Sequence, residues 1–325
     1  MDLSQGRLGF YPADERIEKT SPRFAKQADQ GRYVKSGVVE DSPVAGLYDP
    51  LTAVQACRGD GGTVGSSQAK YWDDVLESWR RAGGDRVWRA HSDAVNSLLL
   101  DAWLPKELVE RLLKTDLFDE AISEGLAPRL LSSAEETCGV DVSTHVVQRA
   151  LEKYPSLVGT VADVRALPFP DSSFDVIVSL STLDHFERLE QLERSLEELH
   201  RVLRVGGRLI LTLDNPLNPF VALRGALPFP WLIKSGVVPY AVGANCGPAA
   251  LRQRVESAGF TVTDESSLLH CPRVIAVYAS RWISRVGWNW GERVFLKSLM
   301  AFESLRRSPL RYRTGHFSAV LAYRS

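Results

Sequence analysis

Residues 158–180 read Val158-Gly159-Thr160-Val161-Ala162-Asp163-Val164-Arg165-Ala166-Leu167-Pro168-Phe169-Pro170-Asp171-Ser172-Ser173-Phe174-Asp175-Val176-Ile177-Val178-Ser179-Leu180. After a charged stretch, residues 201–213 read Arg201-Val202-Leu203-Arg204-Val205-Gly206-Gly207-Arg208-Leu209-Ile210-Leu211-Thr212-Leu213. Phe174–Leu180 and Arg208–Leu213 have the length and β-branching of buried strands. Between them Leu189, Leu192, Leu196, Leu199 and Leu203 recur at three- and four-residue spacing, which is one apolar helix face. Glu190, Glu193, Arg194, Glu197, Glu198 and Arg201 cover the other sides, and Gly206-Gly207 reads as the helix stop. A strand, a crossover helix and a strand make a parallel βαβ unit, which predicts an α/β fold.

The chain has 325 residues, 44% hydrophobic and 24% charged, the composition of an ordinary globular protein. A net charge of −1 gives no global attraction to nucleic acid. No apolar run reaches the ~20 residues that span a bilayer, and the N-terminal residues lack the pattern of a signal peptide. Cys57, Cys138, Cys246 and Cys271 are scattered without a C-x-x-C pair, so they read as thiols of a reducing cytoplasm and not as a zinc site.

Asp163, then Leu167-Pro168-Phe169-Pro170-Asp171-Ser172-Ser173-Phe174-Asp175, then Asp184-His185-Phe186, then Arg201–Gly207 resemble the second half of the class I S-adenosylmethionine-dependent methyltransferases. The nearest variety is the small-molecule branch that includes quinone-ring methyltransferases. The resemblance is dense across this stretch and weak elsewhere. It implies a doubly wound, mostly parallel seven-stranded sheet of Rossmann-like type, with S-adenosylmethionine as cofactor.

Upstream, residues 1–66 are rich in Gly, Pro, Asp and Ser and read as an irregular arm, either wrapped on the core or serving as a lid. Residues 67–104 read as a helical cap. Tyr71, Trp72, Val75, Leu76 and Trp79 share one helix face before Gly83-Gly84, and Val87, Trp88, His91, Val95, Leu98, Leu99 and Trp103 share another before Pro105. A lone histidine such as His91 on such a face reads as packed more readily than as a catalyst. From 105 to the C-terminus the sequence reads as the Rossmann-like domain. Where the resembled family has a glycine-rich first loop, this chain has Lys114-Thr115-Asp116-Leu117-Phe118-Asp119-Glu120, and Gly125 is the first glycine. Either the loop holds the cofactor by another geometry, with Asp116, Asp119 or Glu120 toward its amino group, or cofactor binding is weakened or lost.

The remaining cofactor positions follow from the resemblance. Asp141, ending a short strand beside Val142, matches the acidic residue that takes the ribose hydroxyls; from its position alone it can also be a helix N-cap, as can Ser143. Asp163 and Val164 match the adenine position. Ser179 and Leu180 close the fourth strand at its carboxyl end, the side on which ligands bind in open parallel sheets. His185 matches a position near the reacting centre and is the first candidate for a general base, with His270 the second.

Downstream, Asp214-Asn215-Pro216-Leu217-Asn218-Pro219-Phe220 reads as irregular. It opens an insertion at about 214–247 whose Phe220, Leu223, Leu227, Phe229, Trp231, Leu232, Ile233, Val237, Val238 and Tyr240 suit a cover for an apolar or aromatic acceptor, or extra core. A second insertion at about 281–313 is basic and aromatic; such a segment packs with a solvated rim or lies on an anionic membrane. Thr314–Tyr323 reads as the last strand, antiparallel inside the sheet in the resembled family. The resulting expectation is a cytoplasmic enzyme that methylates a small or lipid-like acceptor, without nucleic acid. Two rivals are an enzyme that uses the same cofactor for cyclisation or rearrangement, and a non-catalytic binding module. The sequence leaves the oligomeric state open.

Overall fold

The computed structural model describes residues 64–81, 86–227, 243, 245–287 and 289–325. The arm through residue 63 with its lid reading, Cys57, and the apolar run 228–242 lie outside the described residues. Helices α1 (Val64–Arg81) and α2 (Arg86–Trp103) come first, followed by β1 (Val109–Lys114), short helices α3 (Phe118–Ile122) and α4 (Ala127–Leu131), and β2 (Ala134–Asp141). Next are α5 (Thr144–Lys153), β3 (Leu157–Val161), β4 (Phe174–Leu180), a 3-10 turn over Leu183–His185, α6 (Leu189–Val202) and β5 (Leu203–Asp214). The chain continues with α7 (Pro219–Ala226), α8 (Pro248–Ser257), β6 (Phe260–Leu268), α9 (Arg273–Val286), α10 (Asn289–Ala301), a 3-10 segment over Phe302–Arg307, α11 (Arg311–Thr314) and β7 (Phe317–Arg324).

The strands form one seven-stranded sheet in the order β3-β2-β1-β4-β5-β7-β6. β1 to β5 pair in parallel, and β7 runs antiparallel between β5 and β6. The period of two sets the layers. Ile177, Leu209, Leu211 and Val320 face one core with Leu192, Leu196 and Leu199 of α6 and Leu251 and Val255 of α8. Val176, Val178, Ile210 and Leu321 face the other, with Trp88, Leu99 and Leu100 of α2 and Ala276 of α9. A third cluster joins Val75 and Leu76 of α1 to Leu117, Phe118 and Val146.

Two local readings of the sequence need correction. The α6 helix ends at Val202, and Leu203 already belongs to β5. Phe174 pairs with Leu203 and Val176 with Arg208, so residues 204–207 loop out as a bulge, with Gly206 at φ +76°. The glycine pair therefore makes a bulge within a strand and not a helix stop. Residues 214–220 are also more regular than their prolines suggest. Asp214 still pairs with Phe317, and Pro219 opens α7 behind Asn218, whose Oδ1 accepts from Phe220 N at 2.9 Å. Proline is tolerated at a first helical position because its missing N–H would be unpaired there in any case.

Candidate active site

In a sheet of this order the chain changes direction between β1 and β4, which opens a crevice at the carboxyl ends of the strands. A cavity of about 340 Å³ lies there. Asp116, Asp141, Val142, Asp163, Val164, Leu180 and His185 all line it. Asp141 and Asp163 stand on neighbouring strand ends of one rim, joined where Ala162 N donates to Asp141 O at 3.0 Å.

Asp141 is a brace as well as a wall. Its Oδ2 accepts from Leu117 N at 3.1 Å and its Oδ1 from Ser143 N at 2.9 Å, which ties the loops after β1 and β2 together. Burial pushes its carboxyl up to about 7, against those two N–H groups, which favour the ion. Ser143 is the N-cap of α5, its Oγ accepting from Val146 N at 3.0 Å, so Asp141 is not needed for that role. Asp163 accepts from Arg165 at the backbone N and at Nε, both 2.9 Å, and the same guanidinium reaches Gln68 and covers the Phe186 ring.

The glycine-poor loop is built around a buried ion pair. Lys114 Nζ lies 2.9 Å from Glu120 Oε2 and 3.3 Å from Asp116 Oδ1, and donates to Asp116 O at 2.7 Å. Burial opposes the charge on Lys114, but Asp116, Glu120 and Asp119 outweigh it and raise its pKa. Thr182 Oγ1 lies 2.9 Å from Asp116 Oδ2, and Thr115 Oγ1 lies 2.9 Å from both Thr182 Oγ1 and Ser179 Oγ. Each hydroxyl has one proton, and the Asp116 carboxylate can only accept. The donation therefore runs from Ser179 to Thr115 to Thr182 and ends on Asp116, which accepts. Ser179 is fully buried and outside the cavity wall; it supports the loop from behind.

Away from that loop the wall is apolar and basic: Trp88, Phe220, Leu223, Val277, Phe317, and Arg224, Arg273 and Arg281. His316 also lies here. Arg273 Nη1 stands 2.7 Å from His316 Nε2, and since a guanidinium can only donate, that nitrogen must accept. Burial, assisted by Arg273, lowers His316 to about 4, so its ring is neutral. Buried Asp214 pairs with Arg224, its Oδ2 2.5 Å from the guanidinium, and its Oδ1 lies 3.3 Å from the same His316 Nε2. His185 sits in the 3-10 turn beyond β4, its ring edge-on to Trp72 with centroids 4.8 Å apart and its Nε2 3.7 Å from Asp184 Oδ1.

The structure does not bring His270 to the cavity wall. Its Nδ1 lies 2.8 Å from Thr314 Oγ1, and its backbone N donates to buried Glu303 at 2.9 Å. That places it in the turn after β6, where Leu269 holds a left-handed φ of +61° and itself reaches the cavity. Ser181, at the end of β4, has φ +54° and lines the cavity too. Non-glycine residues held in this region mark backbone fixed by its surroundings. His91 is also outside the wall, fully buried, with Nε2 3.4 Å from Cys271 Sγ.

Known proteins resemble this chain in sequence and in fold. The methyltransferase-domain family matches residues 119–211. Demethylmenaquinone methyltransferase of Thermus thermophilus is 36% identical over 221 residues, 59% of this chain and 89% of that protein. A Mycolicibacterium smegmatis protein named a probable S-adenosylmethionine-dependent methyltransferase is 25% identical over 176 residues, 51% of this chain. The chain spans 59% of that protein's length, and 45% of a similarly named Mycobacterium tuberculosis relative. In three dimensions it resembles a chain from the complex of the Haloferax volcanii Trm112 methyltransferase activator with a methyltransferase. The TM-score is 0.51 at 18% identity, covering 77% of this chain and 97% of that one, a likeness of fold alone. With the sheet order, the crevice and the Thermus relative together, the chain belongs to the class I S-adenosylmethionine-dependent methyltransferase family.

Proposed function

We propose that this protein transfers a methyl group from S-adenosylmethionine to a small or lipid-like acceptor with an apolar or aromatic body. The observation that carries this reading is the grouping of Asp116, Asp141 and Asp163 around one cavity at the switch point of the sheet. Each oxygen of Asp141 accepts one backbone N–H and retains capacity for a second donor, which suits a pair of ribose hydroxyls. Asp163 and Val164 would take the adenine, and Asp116 the ammonium group. The missing loop glycines do not close the site, because Leu117 turns its side chain under the sheet: a Cβ on Gly139 would lie 2.4 Å from Leu117 Cδ2.

When bound, S-adenosylmethionine supplies a methyl already activated by its sulfonium. What the chain must do is orient the acceptor and keep water out. Trp72, Trp88, Phe118 and Phe220 give the wall that exclusion. For an oxygen or carbon nucleophile, His185 is our candidate base; His316 is a poor one, since Arg273 occupies its lone pair. The name of the Thermus relative makes a demethylated naphthoquinol the first acceptor to try.

Calorimetric titration with S-adenosylmethionine and S-adenosylhomocysteine tests the reading. Wild-type protein should bind both, and Asp141→Ala should bind about 1–3 kcal/mol more weakly. No heat in either wild-type titration would sink the proposal, and unchanged affinity in the variant would remove Asp141 from the site. With the naphthoquinol as probe, His185→Gln should release S-adenosylhomocysteine roughly 10²–10⁴-fold more slowly, with cofactor affinity retained.

A further inference from the structure

Helix α9 carries two apolar faces. Ala276, Ser280 and Ile283 pack inward. On another side Ile275, Tyr278, Trp282 and Val286 recur at three- and four-residue spacing and are 67%, 47%, 62% and 57% exposed. On α10, Trp290 and Val294 are exposed as well, and on α7 so are Phe220 and Leu223. Single exposed apolar residues are normal, but a contiguous set of this kind marks a contact surface.

Two observations identify the partner. First, Phe220, Leu223, Val274 and Tyr278 are exposed and also line the cavity, so the apolar surface begins at the cavity mouth. Second, the charge beside it has one sign. Between them α9 and α10 carry Arg273, Arg281, Arg285, Arg293 and Lys297, and their single acidic residue, Glu292, is buried against Arg86 at 2.5 Å. A second copy of the chain meeting this surface across a two-fold axis would press the same cations together. An anionic interface accepts both the aromatic groups and the arginines.

We propose that the face formed by α7, α9 and α10 docks on an anionic phospholipid bilayer, with the cavity mouth turned into the interface. The apolar stripe starts on α9, ahead of the basic segment 281–313 picked out in the sequence. Docking depends on this surface and stands whether or not the cavity holds S-adenosylmethionine. Joined to the proposed function, it means that a lipid-like acceptor can enter without crossing water.

Flotation with vesicles of phosphatidylcholine, alone or mixed with phosphatidylglycerol, is the test. Wild-type protein should float with the mixed vesicles, be released by salt, and show a blue shift of tryptophan fluorescence on binding. Trp282→Ser with Val286→Ser should lower partitioning by about tenfold or more. Arg285→Gln and Arg293→Gln should each lower it about fivefold. None of these residues lines the cavity, so S-adenosylmethionine binding and thermal unfolding of the variants should match wild type. Failure of the wild type to float with mixed vesicles overturns the proposal. So does flotation unaffected by the Trp282/Val286 double change, or self-association in solution that this double change abolishes.

Discussion

Replacing Lys114 by methionine tests whether an ion pair has taken over the structural duty of the first loop. The Lys114 ammonium is 4% exposed and the Glu120 carboxylate fully buried, 2.9 Å apart. Glu120 Oε1 also accepts from Leu126 N at 2.9 Å, so the pair fixes both the loop carrying Asp116 and the break between α3 and α4. Lys114→Met leaves Glu120 buried without its cation, a loss of roughly 3–5 kcal/mol. At roughly 1–2 °C per kcal/mol for a chain of this size, the Tm should fall by roughly 3–10 °C. The deficit should depend on pH. Burial raises the Glu120 carboxyl, and without Lys114 only the Leu126 N–H still favours its ion. A carboxyl raised in the folded state binds its proton more tightly there than in the unfolded chain. The variant therefore keeps its stability below the ordinary carboxyl range and loses it as pH climbs through the raised value. Thermal and urea unfolding followed by circular dichroism should show the gap to wild type narrowing from about pH 7 toward about pH 5. Adding Glu120→Leu to Lys114→Met should restore most of the loss, since an apolar pair can replace a buried ionic one. A double variant no more stable than the sum of the two single changes allows would refute the coupling.

Two further outcomes follow from the same loop. With Asp141 near pH 7 when unliganded, its ionised form is the better acceptor of two hydroxyls, so S-adenosylmethionine affinity should rise with pH through about 7 and then level; calorimetry repeated in buffers of different ionisation heat should register proton release near that pH, and heats that ignore the buffer would contradict it. Gly139→Ala forces a Cβ to within 2.4 Å of Leu117 Cδ2 and should cost about 1–3 kcal/mol together with cofactor affinity, whereas Gly159→Ala, its register partner on the next strand, meets Val147 Cγ1 at 2.9 Å instead of the loop and should spare affinity; equal binding by both variants would count against the packing described.

The parallel sheet was legible because Phe174–Leu180 and Leu209–Leu213 are apolar on both faces, which two-layer packing requires. Once β1 to β5 run parallel, every residue just past a strand end must fall on one rim. That is why Asp116, Asp141, Asp163 and His185 could be gathered from sequence alone. The same rim also takes a residue that carries no motif. An antiparallel β7 begins at that rim, so His316, immediately before it, lines the cavity beside Arg273. Ser179 and His270 show the opposite failure. Nearness to a strand end does not set side-chain direction: Ser179 points back to Thr115, and His270 is held in a turn by Glu303 and Thr314. The partner of Lys114 was hidden because Glu120 lies on α3, a helix too short to show a periodic signal.

The absent glycines show why a motif search and a packing argument can disagree. What a close approach between loop and strand requires is a small combined volume, and either side can supply it. In the resembled family the loop carries the glycines; here the loop carries Leu117 and the strand beneath it carries Gly139. Leu117 then joins Val75, Phe118 and Val146 in the core under α1, so the residue that departs from the motif also anchors the helix bearing Trp72 and Gln68 beside the cavity. A glycine restored at position 117 would satisfy the motif while leaving a gap where Leu117 is now fully buried, at a cost of several kcal/mol, about that of a large-to-small core change. The loop and the α1 cap are thus one packing unit, and their sequence departures are legible only when read together.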